Sequence, residues 1–477
     1  MNNLFYLNTT TGSPISPERY YSINSTNTPL RGFDDNGTES MLSKEEVLSR
    51  FNDALRSAMR AEQANTSDDA TKLSFQLLFN GLFQAEGSWT GSFKSLWVLH
   101  FRPSCSVTQL ASTQSFAFFA RLLSLLPANT LKYYIGINNY GNWHIVLYTH
   151  SWDVIFNTMF PYLSYLQGDK FTAMGKLKDL FDLRFSTSFE DRLRAVWLAY
   201  NLTGVGAPRD VTLETKMAAM FPNVTDYSIP NFRKDYASNL VPMNFLFVLG
   251  FYLGDGGMYI HLRDEGSYIS FVPQFKISQI LTDSNLQVIK DIGDLLKSLG
   301  VVTQVGVNVN VCHVKVVGVI NLTSLLSLIA SHTDLLYWKT PQYNVVLRVM
   351  AMINLNVKGW LELWKEMVDT IYSIDNVRDN DASHWYRRFD SIYSDLVSDM
   401  PSKTTFVTTA NHKVGPHKGE FKCWLVKLPK SLRLLPREKS FYPSTYGGRE
   451  EALKAAIIYR DEMLSNYLSQ YLIKYPM

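Results

Sequence analysis

The sequence predicts an α+β chain of two pseudo-symmetric halves, each ordered helix, two strands, helix, two strands, helix (αββαββα), with an N-terminal extension and a small C-terminal sheet-and-helix segment. Two observations carry this expectation. Glycine and polar positions recur in register between residues 79–170 and 248–339, and within each copy the apolar period alternates between that of a helix and that of a strand. Composition allows it: 46% of the 477 residues are hydrophobic and 19% charged, enough to bury more than one core.

The extension is read as residues 1–70. Its first 40 residues are rich in Asn, Thr, Ser, Gly and Pro without a sustained period, and a helix follows from Ser43 to Ala64, with a Ser cap, two early glutamates and apolar Val47, Phe51, Leu55 and Met59 at four-residue steps. The first half is residues 71–189, a connector with Gly, Pro and Asn breaks is 190–241, the second half is 242–375, and a basic C-terminal segment is 376–477.

The repeat is clearest where FNGLFQAEGSW (Phe79 to Trp89) aligns without a gap to VLGFYLGDGGM (Val248 to Met258). Each is an apolar helical run in which a Gly, Gly81 or Gly250, stands five residues before an acid, Glu86 or Asp255. A small residue, Ala85 or Gly254, precedes each acid. A Gly inside a helix costs about 1 kcal/mol relative to Ala, so its recurrence implies close approach of two helix backbones. Downstream, PSCSVTQ ending at Gln109 answers PQFKISQ ending at Gln279, and Lys170 and Lys339 each follow their acid by 84 positions. Between acid and Gln the aromatic and β-branched alternation reads as a hairpin. Helical patterns (FAFFARLLSLL and LQVIKDIGDLLKSLG) and further strands follow.

Several classes are excluded. Cys105, Cys312 and Cys423 are far apart and show no zinc or disulfide spacing, so reduced, partly buried thiols are expected. No run of 18 apolar residues occurs, which argues against a membrane partner. The first residues resemble neither a secretory signal nor an import peptide, so a protein made where it works is expected. Net charge is only +3, unevenly spread: Lys403 to Lys439 holds nine Lys or Arg against Glu420 and Glu438, leaving residues 1–402 near −4. Nucleic-acid attraction is therefore expected to concentrate near the C-terminus.

The two nonapeptide-like runs resemble the motif of the two-motif, single-chain LAGLIDADG homing endonucleases, over about Leu73 to Ser373. The resemblance implies saddle-shaped antiparallel sheets, motif helices packed side by side, and metal ligation by Glu86 and Asp255 with the backbone carbonyls of Ala85 and Gly254. It also implies Mg²⁺, or Mn²⁺, as cofactor, and auxiliary roles for Gln109 and Gln279 in orienting water or metal and for Lys170 and Lys339 in charge stabilisation or proton relay. The chain departs from the motif at Gln84 and Leu253, where the family carries an earlier acid, and at Thr113 and Asp283, where a basic residue is frequent.

Double-stranded DNA is the partner implied, read by outward strand residues: Ser92, Lys94, His100 and Arg102 in the first half, and His261, Arg263, Gln274 and Lys276 in the second. The expected function is a site-specific, intron-encoded endonuclease making metal-dependent double-strand cuts. The alternatives are an RNA maturase assisting its host intron's splicing, and an inactive nucleic-acid-binding derivative. Family habit places it in the mitochondrion, with the chloroplast as alternative, and two fused halves imply a monomer.

The C-terminal strands followed by the helix around Ala452, Ala455 and Ala456 resemble an Apetala- or integrase-type DNA-binding module, on Trp424, Gly447, Gly448, Ala452, Ala456 and Arg460. Two arrangements stay open. Either Lys422, Trp424 and Lys427 face DNA together, or Trp424 lies in the core beneath a solvated basic face.

Overall fold

The structure, a computed structural model, describes residues 30–33, 39–63, 68–95, 100–138, 141–202, 212–221, 223–224, 241–266, 269–354, 361–372, 382–388, 391, 407–411, 420–427 and 438–474. More than half of the N-terminal extension and half of the connector therefore lie outside the described residues. The chain divides into two compact units. The first comprises Met1–Gly257, Phe275–Val317 and Asn321–Trp338; the second comprises Met258–Gln274, Gly318–Ile320 and Lys339–Met477.

The first unit contains helix α1 (Lys44–Gln63) and the two motif helices. At the start of α1 the Ser43 hydroxyl accepts from the Glu46 N–H at 3.1 Å and the Glu46 carboxylate accepts from the Ser43 N–H, a reciprocal cap. Val47, Phe51 and Leu55 form its buried stripe, with the Phe51 ring 5.6 Å from those of Phe116 and Trp143. Helix α2 (Asp69–Glu86) starts at Asp68, whose carboxylate accepts from Thr71 N–H at 2.7 Å. Each motif helix ends where its acid is followed by Gly and the backbone turns extended.

Strands β1 (Gly87–Ser95) and β2 (His100–Leu110) continue from α2, then α3 (Thr113–Leu125), β3 (Lys132–Ile137) and β4 (Trp143–Thr149). After a short helical segment, residues 152–162, with a π-helical turn at its centre, come α4 (Gly168–Leu183), α5 (Phe189–Tyr200) and α6 (Leu213–Met220), the last two joined through buried Leu193, Val196 and Met217. The second repeat runs α7 (Phe245–Asp255), β5 (Gly256–Asp264), β6 (Ile269–Ile280), α8 (Asp283–Ser298), β7 (Gln304–Asn308), β8 (Val311–Val317) and α9 (Val319–Ile329). The sheets have equivalent orders, β1-β2-β4-β3 and β5-β6-β8-β7, so the strand carrying Gln109 or Gln279 is internal in each. Ser112 and Thr282 cap the helices that follow those strands.

The glycines explain how the motif helices pack. A Cβ on Gly81 would stand 1.9 Å from the Phe247 carbonyl oxygen, and one on Gly250 would stand 1.8 Å from that of Leu78. Backbone thus touches backbone along α2 and α7, a separation that no larger residue permits. The rest of this seam is buried, including Leu78, Leu82, Phe247, Leu249 and Phe251.

In the second unit, the Arg388 guanidinium bonds Asp264 at 2.9 Å and the Gly266 carbonyl at the turn after β5. Helices α10 (Thr340–Asn354) and α11 (Leu361–Tyr372) precede a three-stranded sheet of β9 (Val407–Asn411), β10 (Phe421–Lys427) and β11 (Glu438–Phe441), on which α12 (Arg449–Lys474) packs.

This sheet decides between the two C-terminal arrangements. Trp424 is 5% exposed, clustered with Val407, Val426, Phe441, Ala452 and Ala456, and its indole N–H donates to the Arg449 carbonyl at 2.9 Å. The DNA-facing expectation for Trp424 is therefore corrected, because the helix side of the sheet claims that face of the strand. Lys422 shares the parity of Trp424 but stays exposed at the strand start, whereas Lys427 has the opposite parity and pairs with Glu438 at 2.9 Å. The three residues do not form one face.

Three outcomes follow. Gly81→Ala or Gly250→Ala should lower unfolding free energy by about 3 kcal/mol, read from the denaturant midpoint, since backbone carbonyls cannot yield to the added methyl. Trp424→Ala should cost about 3 to 5 kcal/mol and abolish slow amide exchange in β9 to β11. Lys427→Ala, breaking an exposed pair, should stay within about 1 kcal/mol.

Candidate active site

Because α2 and α7 meet backbone to backbone, their last residues are brought together. A Cβ on Gly254 would lie 2.4 Å from the Ala85 Cβ and 2.9 Å from the Glu86 Cγ, so the two acid-bearing ends are in contact distance of each other. Glu86 and Asp255 are both exposed. Neither helix has a basic residue in its last turn. Each C-terminus carries a partial negative charge of about half a unit, so two carboxylates placed there compound the helix dipoles instead of opposing them. Such a focus of negative potential is stabilised by a cation.

Gln279, on the internal strand β6, donates from its amide nitrogen to the Asp255 carboxylate. Its counterpart Gln109 lies on β2 with its amide nitrogen buried and without a protein partner. Lys170 reaches back from the start of α4 and donates to the carbonyl of Gly87, next to Glu86. Burial pushes the Lys170 pKa below the ordinary lysine value, while the carboxylates of Asp255, Glu86 and Asp169 oppose that shift. A cavity of about 480 Å³ opens here, lined by Ala85, Lys170, Asp255, Ser278 and Gln279 among others. The structure thus brings together Glu86, Asp255, Gln279 and Lys170, with Ala85 and Gly254 at the helix ends. Lys339 ends a short 3₁₀ turn, Tyr337–Lys339, and belongs to the second unit.

One polar stripe of α2 holds the approach to Lys170. Gln76 and Asn80 donate to the Tyr162 carbonyl at 2.9 and 2.8 Å, Asn80 accepts from Tyr165 N–H at 3.0 Å, and Gln84 accepts from Gln167 N–H at 2.9 Å. Asn80 and Gln84 are buried, and Gln84 stands where the resembling family carries its earlier acid. The helical spacing of 76, 80 and 84 was a readable signal that sequence reasoning missed.

Among the expected readout residues, Ser92, His100 and Arg102 are exposed on the first sheet, and Ser92 is paired with Arg102 across β1 and β2. The Lys94 side chain lies outside the described residues. His261 and Arg263 are exposed and Lys276 is half-buried. Gln274, on the same side of the strand as Lys276, is only 9% exposed, which corrects the expectation that it is an open readout group. Sequence reasoning also missed Lys315, close enough to Lys276 to lower its pKa after desolvation has done so, and the ring row of Tyr134, Tyr148 and His150, spaced 5.8 and 5.1 Å.

The Glu86 and Asp255 carboxylates offer oxygen donors only, with the Lys170 ammonium nearby. No cluster of three or more His, Cys, Asp or Glu suited to a metal occurs among the described residues. A site with so few protein ligands fits a hard divalent cation that keeps waters and completes its shell with phosphate oxygens. It does not fit a structural zinc centre.

No protein-family profile and no curated protein sequence matches the chain. Among solved structures, the chain is similar to the I-LtrWI LAGLIDADG homing endonuclease bound to target DNA, with TM-score 0.50 and 13% identity, covering 64% of this chain and 99% of that one. It is similar also to meganuclease I-SmaMI bound to uncleaveable DNA, with TM-score 0.50 and 15% identity, covering 64% of this chain and 97% of that one. These likenesses are of fold: paired glycine-bearing helices and two four-stranded antiparallel sheets give this chain the α+β LAGLIDADG architecture.

Proposed function

We propose that the chain is a member of the two-motif LAGLIDADG family and acts as a site-specific DNA endonuclease, intron-encoded and dependent on Mg²⁺ or Mn²⁺. The observation that carries this reading is the convergence of Glu86 and Asp255 at the ends of two touching helices, with Gln279 and Lys170 beside them. The solved structures of similar fold are described as homing endonucleases bound to DNA, which supports DNA as the partner.

In this reading Glu86 and Asp255, with the carbonyls of Ala85 and Gly254, hold the cation. When bound, it lowers the pKa of a water and neutralises charge growing on the phosphate. Gln279 fixes the rotamer of Asp255 through its amide, so the carboxylate is oriented before substrate arrives. Lys170 sets a positive charge against the negative helix ends and stabilises the pentacoordinate phosphate. The duplex crosses the outer faces of the two sheets, with His100 and Arg102 on one and His261 and Arg263 on the other as readout groups. A monomer acting in a mitochondrion, or a chloroplast, completes the proposal.

The test is incubation of the full chain with DNA spanning the insertion site of its host intron, the flanking exon sequences joined, with Mg²⁺ or EDTA. Double-strand cutting is expected only with metal, and Glu86→Gln or Asp255→Asn should slow it by roughly a hundredfold or more while DNA binding persists. Intact DNA, with tight binding and faster splicing of the host intron RNA, would replace this reading with that of a maturase.

A further inference from the structure

The lysine at the site is delivered by a turn whose geometry both repeats share although their residues differ. Gly168 begins α4 with φ +51°, and a Cβ there would lie 3.0 Å from Val288 Cγ2 and 3.2 Å from the Ser284 carbonyl oxygen on α8. The next residue, Asp169, accepts from the Thr282 hydroxyl at 2.9 Å and from the Ser284 hydroxyl. Thr282 is also the cap of α8, accepting from Asn285 N–H at 3.1 Å, and follows Gln279 by three residues. Asn285 in turn donates to the Ile280 carbonyl at 3.1 Å.

At the same offset in the second repeat stand Tyr337, with φ +42°, and Trp338. The Trp338 indole N–H donates to the Leu253 carbonyl at 2.9 Å, and its ring lies 5.5 Å from that of Phe118 on α3. In each repeat, then, the residue before the lysine reaches the other repeat, Asp169 by hydrogen bonds and Trp338 by its ring alone, since its indole bond stays within its own repeat. A non-glycine residue in the left-handed region is uncommon, so the positive φ of Tyr337 where the first copy has Gly168 shows that the turn itself is what both copies require.

We propose that Asp169 is a positioning residue: it ties the Lys170 turn of the first repeat to the α8 cap of the second, and so holds Lys170 and Gln279 in one frame around Asp255. The proposal rests on the nuclease reading. Two hydroxyl donors call for two acceptor oxygens, which aspartate supplies and asparagine does not. The charge also faces the positive end of α8.

Single-turnover cutting and DNA affinity are measured in Asp169→Ala, in near-isosteric Asp169→Asn, in the Thr282→Val/Ser284→Ala pair, and in the combination. Each break in the clamp should slow cutting by roughly tenfold, the effect expected of groups supporting a catalytic centre, with DNA affinity held within about twofold. Adding Asp169→Ala to the hydroxyl pair should slow it no further, because both remove one linkage. Active-site titration with DNA removes any contribution from misfolded protein. An unchanged rate in Asp169→Asn, additive losses, or equal losses of affinity and rate would overturn the proposal while leaving the nuclease reading intact. A wild-type chain that cuts no DNA removes the reading and the proposal together.

Discussion

Direct contact between the backbones of α2 and α7 is the constraint on which the rest depends. Gly81 against Phe247 and Gly250 against Leu78 leave no room for a side chain between the helices, so the register of one fixes that of the other. Once fixed, both chains leave their helices at the same level, and both acids emerge side by side. The arrangement is electrostatically costly in the isolated protein, since two helix C-termini and two carboxylates share one region. That cost is the counterpart of affinity for a cation, because whatever neutralises the cluster recovers it.

The two repeats use this platform unequally. In the first, Gln76, Asn80 and Gln84 line one side of α2 and bind the loop that leads to Lys170. In the second, the residue matching Gln84 is Leu253, and only its carbonyl is used, by Trp338. The duplicated backbone is thus kept while its supports have diverged from amide and carboxylate to indole and apolar packing. Gln279 engages its acid and Gln109 does not, so the asymmetry extends to the groups nearest the chemistry.

Much of the architecture was legible because its constraints act on residue type at fixed spacing. Close backbone approach demands glycine, a half-buried strand demands alternation, and both marks survive in the sequence around Gly81, Gly250, Gln109 and Gln279. The lysine turn was illegible for the opposite reason. Its requirement is a backbone conformation that Gly168 meets freely and Tyr337 meets under tertiary restraint, so no shared residue advertises it. Trp424 was undecided because strand parity names two faces but not which one a helix will cover. Ala452 and Ala456 supply that answer only once α12 is seen on the sheet.

Net charge was a poor guide for a related reason: the sum of +3 hides local arrangements. On the second sheet, His313 lies over Gly306, where a Cβ would stand 2.7 Å from its Nε2. Its pKa is lowered by desolvation and then by Lys315 and Lys276, so the three groups share a small region and repel one another when charged. Folding alone does not favour such a cluster. An anionic partner such as the proposed duplex would relieve the repulsion between half-buried Lys276 and Lys315, whereas His313, buried and with its pKa lowered, is held toward its neutral form. In the proposed function, affinity for the duplex would then depend on where strand register holds a few charges and not on their net sum.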